Sequence, residues 1–198
     1  MGNLNSLSLT ELIIETGIHD AIARKFNEKG KLSNNAIAEA IINNVRKTII
    51  RDQLTDPRFY AEMSTLLDDL IQQSRADAAA YEAFLKKAED LVKRMAQKAP
   101  AAGIPAELHG KPGAVVLFNN LPSILTPGLS NDSAPEMVQV RVDLALEIDR
   151  AMREHAPAGW KGDKTREKQV LNALFPIMSR DRAATQAIFE IIKHQPGY

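Results

Sequence analysis

The chain contains no cysteine, which excludes disulfides, thiolate metal sites and cysteine nucleophiles together. It also lacks net charge: 25 basic side chains stand against 25 acidic ones, so nothing in the total calls for nucleic acid or an anionic membrane as partner. No apolar run approaches the roughly 18 residues of a membrane-spanning helix. Aromatic residues make up only 5% of the chain, with one tryptophan, and none interleaves with basic residues to stack on bases. No phosphate-binding loop is present, since Gly110-Lys111-Pro112-Gly113 has the wrong spacing and its proline removes a backbone donor. The histidines His19, His109, His155 and His194 lie far apart, none with a partner at i+3 or i+4, so no helix offers a two-histidine metal face. The carboxylates and lysine on short strands that a two-metal nuclease uses are missing too. These absences predict a chain with no catalytic, cofactor-binding or metal-binding residues of its own.

What is present is a soluble globular composition, 44% hydrophobic and 25% charged over 198 residues, enough for one ordinary domain or two small ones sharing a core. A cysteine-free chain of this kind fits the cytoplasm.

Helical periodicity dominates. Ser8 with Glu11 forms a capping box before Leu12, Ile13 and Ile14, and Gly17 ends that helix. Ser33 caps a long helix whose core face is Ile37, Ile41, Val45 and Ile49, with Ile50 beside it. A Thr-Asp-Pro turn follows, and Pro57 opens a helix carrying Phe59, Met63, Leu66, Leu67, Leu70 and Ile71. Another helix, from about Ala78 to Ala99, places Phe84, Leu85, Ala88, Leu91, Val92 and Met95 on one side. Pro- and Gly-rich stretches at 100–113 and 122–135 then bracket AVVLFNNL, which periodicity alone reads as a buried strand or a buried helix turn. VQVRVDLALEID alternates like a strand, but Ser133 with Glu136 makes a capping box and no second alternating run exists to pair with it, so Val138 to Asp149 is expected to be helical. Asp163 caps a further helix that Pro176 should perturb, and a last one runs from Asp181 to His194. The expected fold is all-α, a multi-helix bundle of about eight helices. Its N-terminal helical part covers 1–99, a loop-rich connection with a short helix covers 100–135, and the helices of 136–198 pack into the same domain.

Two groups of residues are candidates for binding. Arg46, Lys47 and Arg51 form a basic row on one helix, and Lys161, Lys164, Arg166 and Lys168 gather around another. Asp52 near the first and Asp163 and Glu167 near the second make local pairing the simpler reading, with phosphate contact as the alternative. Trp160 sits in a Gly-Trp-Lys-Gly-Asp loop, where tryptophan either plugs the core with its N–H on a carbonyl or anchors an interface. Trp160, Lys161, Asp163 and Arg166 are the candidate partner-binding set, and Arg46, Lys47 and Arg51 the candidate DNA-contacting set.

Asn43 to Arg75, NNVRKTIIRDQLTDPRFYAEMSTLLDDLIQQSR, resembles the carboxyl-terminal region of the restriction (R, HsdR) subunit of bacterial type I restriction-modification enzymes. There an NN(V/I)RK helix precedes a P-x-(F/Y)-Y-x-x-M-S-x-L-L helix. ELIIETGIHDAI, GWKGDKTREKQVLNAL and AIFEIIKHQPGY extend the likeness in family order, and an LYNNL-like helical segment corresponds to LFNNL here. The resemblance implies a carboxyl-terminal fragment of a subunit several times longer, an ATP- and Mg-dependent DNA translocase and endonuclease whose nuclease and helicase-like domains lie elsewhere. It also implies that this helical region joins the R subunit to the methyltransferase and specificity subunits and meets DNA through the parent complex. Two alternatives stand beside that expectation: a helical accessory domain of the same motor contacting the DNA backbone, and an unrelated helical ligand-binding bundle.

Overall fold

A computed structural model describes residues 7–26, 32–76, 80–99, 103–125 and 135–198, without the side chains of 75 and 76. The described residues are all-α, with helices α1 (Leu9–Thr16), α2 (Ile18–Phe26), α3 (Asn34–Asp52), α4 (Pro57–Ala76), α5 (Tyr81–Gln97), α6 (Pro112–Leu125), α7 (Pro135–His155), α8 (Lys164–Ile177) and α9 (Arg182–Lys193). A 3-10 turn at Ala106–Leu108 precedes α6. Among the described residues no strand occurs, and no helix is long and apolar enough to cross a membrane. The Ser133 cap lies outside the described residues, while the helix expected after it is present as α7.

The chain divides into two compact units, residues 1–53 with 60–101, and residues 54–59 with 102–198. In the first, the Ser8 hydroxyl accepts from the Glu11 N–H while the Glu11 carboxylate takes the Ser8 N–H at 2.8 Å, the reciprocal cap that starts α1. Gly17, with φ +83°, adopts the left-handed backbone that ends it. Helix α1 buries Leu9, Leu12 and Ile13 and packs against α2, α3 and α5. Helix α3 buries Ile37, Ile41, Val45 and Ile49 as expected, but Ile50 is 60% exposed. Adjacent positions stand about 100° apart on a helix, so only one of that isoleucine pair can face the core. On α4 and α5, Arg94 and Glu62 pair at 2.6 Å beside buried Met63, Leu67, Leu91 and Met95.

The second unit is organised around α6. Every residue from Ala114 to Pro122 is buried, so the AVVLFNNL segment is a core helix rather than a short connecting piece, and it continues through Pro122 to Leu125. It packs against α7 and α9, and α8 packs on both of those. Helix α7 meets the core through Val142, Ala145, Ile148 and Met152, spaced as one helical face, while Val140 is 50% exposed. The alternation of its sequence is therefore incidental to its packing. Asp163 caps α8 through the N–H groups of Thr165 and Arg166, and Asp181 caps α9 through those of Ala183 and Ala184. Pro176 lies inside the last turn of α8, after which Ser179 and Arg180 adopt left-handed backbone.

Candidate partner-binding groove

Trp160 follows from the turn after α7 and enters the core of the second unit. It is 3% exposed, its ring is tilted against Phe189 with centroids 5.7 Å apart, and Lys161 Nζ lies 5.5 Å above its face. The plug reading describes its position. Its N–H, however, reaches no acceptor among the described residues, in place of the expected carbonyl. The other candidates fasten this loop: Arg166 donates to the Ala158 carbonyl at 2.7 Å and lies 3.7 Å from Asp163, while Glu167 accepts from the Gly162 N–H and pairs with Lys193 at 2.8 Å. Lys161 donates to the carbonyl of Gln195, just beyond the end of α9, where the helix dipole favours a cation. Burial lowers the proton affinity of that ammonium, and the Lys193 hydrogen bond holds Glu167 below the usual carboxylate range.

Together the end of α7, the Trp160 loop and the last residues enclose an open groove of about 530 Å³, lined by Met152, Pro157, Trp160, Lys161 and Tyr198 among others. Tyr198 is seated against Gly113 of α6, where a Cβ would lie 2.6 Å from its Cζ, so a side chain there would push the ring aside. The Tyr198 hydroxyl donates to Asp149, a 5%-exposed carboxylate that also accepts from Arg153 at 2.9 Å. Burial first, then that carboxylate, raises the phenol well above the usual tyrosine range, so it stays protonated as a donor.

Behind the groove runs a hydrogen-bonded chain that sequence reasoning missed. Asp56, with no exposed surface, accepts from Asn119 at 2.9 Å and Asn120 at 2.6 Å; the Asn120 oxygen accepts from the Arg58 N–H at 3.1 Å. Gln195 donates to the Thr55 carbonyl and receives Lys161 on its own. The signal for it was present: two adjacent carboxamides inside an apolar run must find buried partners.

The chain matches no protein-family model, no curated protein and no solved structure.

The candidate DNA row lies on α3, in the first unit. Arg46 and Lys47 are exposed, whereas Arg51 is bound by Asp52 through two hydrogen bonds of 2.7 and 2.8 Å, the local pairing expected for it. Among the described residues no group of three His, Asp or Glu side chains could hold a metal ion.

Proposed function

We propose that this chain is the carboxyl-terminal helical assembly domain of a type I restriction enzyme R subunit, docking an ATP-dependent DNA translocase and endonuclease onto its methyltransferase–specificity core in the cytoplasm. One observation carries the reading. Four of the stretches that bear the resemblance are joined by hydrogen bonds within the second unit: the Thr-Asp-Pro-Arg turn holds the Asn-Asn pair of LFNNL, the Gln195 of the closing segment holds that turn, and Lys161 of the GWKGD loop holds Gln195. The network binds these stretches into one packed unit, so a docking surface built from them would be held in a fixed shape. ATP and Mg belong, on this reading, to the parent subunit, and the fragment acts by surface complementarity without catalysis.

Sedimentation of the 198-residue chain with a methyltransferase–specificity complex, with and without DNA, tests it. Co-sedimentation that changes little between low and moderate salt is the expected result. The second reading, phosphate contact, draws on the exposed Arg46 and Lys47. Binding to duplex DNA with a steep salt dependence, and no affinity for the complex, would establish that reading and sink the first.

A further inference from the structure

We infer that the groove beside the Trp160 loop receives an acidic segment of a partner protein, with a carboxylate on Lys161 Nζ and an adjoining apolar side chain against Met152 and Pro157. The inference rests on the assembly reading and names the chemistry of its contact.

Charge complementarity selects the occupant. Three nearby cations are matched, Arg153 by Asp149, Arg166 by Asp163 and Lys193 by Glu167. Lys161 instead donates to a backbone carbonyl and lies over an indole ring, and burial depresses its proton affinity with no acidic side chain offsetting the shift. A partner carboxylate would supply that missing charge at a partly desolvated position, where an ion pair is stronger than at an open surface. The remaining lining mixes Met152, Ala156 and Pro157 with Arg153 and Tyr198, and its apolar part suits an aliphatic or aromatic neighbour. A nucleic-acid backbone needs several cations in a row and has nothing to place on apolar walls. At about 530 Å³ the groove accommodates a few side chains rather than a duplex.

Because Trp160 is the sole tryptophan, its fluorescence reports occupancy without a label. The probes are the capped peptide Ac-Phe-Glu-Leu-Glu-NH2, its amide counterpart Ac-Phe-Gln-Leu-Gln-NH2 and a short DNA duplex. The acidic peptide is expected to shift the emission saturably, with the amide peptide about tenfold weaker or worse, a difference of about 1.4 kcal/mol. Lys161→Glu should abolish the response, and Lys161→Gln, whose amide can still donate to the Gln195 carbonyl, should weaken it while far-ultraviolet circular dichroism stays unchanged. Lys164→Glu, on the exposed start of α8, should leave it intact. No emission change with the acidic peptide, equal response to both peptides, retention in Lys161→Gln, or response to duplex DNA alone each overturns the inference. Sedimentation with the methyltransferase–specificity complex separates the two claims. Peptide binding without complex binding defeats the assembly reading alone. Complex binding that Lys161→Gln does not weaken and the acidic peptide does not compete defeats the groove alone.

Discussion

Asp56 has no exposed surface, and both of its oxygens are occupied by carboxamides from α6. Removing that carboxylate leaves two buried N–H groups without acceptors, each worth about 1–3 kcal/mol in desolvation. Asp56→Ala should therefore cost about 3 kcal/mol in urea denaturation. A loss under about 0.5 kcal/mol would mean that water re-solvates the amides and the node contributes little. At this scale the sequence was only partly legible. It placed Asp56 in a turn before Pro57 and Asn119 and Asn120 inside an apolar run, yet it did not pair them. Ile49 was legible, since it continues the i, i+4 row of Ile37, Ile41 and Val45, while Ile50 stands about 100° off that row and is exposed.

At the scale of elements, the helix starts were the most legible features because a cap is a contract within three residues. Ser8, Ser33, Asp163 and Asp181 each accept from backbone N–H groups at their own helix start. Asp163→Ala should destabilise the protein by about 1 kcal/mol and speed hydrogen exchange at the amides of Thr165 and Arg166, whereas Asp163→Asn should keep most of the cap. Equal losses for Ala and Asn would instead assign the effect to the pairing with Arg166, which at 3.7 Å between exposed groups should contribute little. Helix α6 was the least legible element. Uniform burial removes the amphipathic period that separates helix from strand, and only coverage by α7 and α9 makes so apolar a helix stable in water.

For the whole molecule, pH tests how much the surface pairs matter. Hydrogen bonds from Arg51, Lys93 and Lys193 hold Asp52, Glu89 and Glu167 below the usual carboxylate range, and the Ser8 cap does the same for Glu11. A carboxylate depressed on folding adds stability above its unfolded value, near about 4, and loses it as pH falls through the lower folded value. The urea midpoint should thus stay flat from pH 7 to about 5 and decline below about 4. A midpoint that rises between pH 5 and 3 would contradict these assignments. The decline should be shallow, since the cationic partners of these pairs reach solvent, which screens them.

The sequence by itself determined the class of this protein and most of its helices, since period, caps and breakers act between residues no more than about four apart. Tertiary structure alone decided which of those helices share a core, that the turn around Asp56 belongs with α6 and α9, and that Trp160 lies inside with Lys161 over it. The deciding contacts join residues 63, 64 and 140 positions apart. Local periodicity carries no information about such partners, because a buried amide states only that it needs an acceptor and not where in the chain that acceptor will be found.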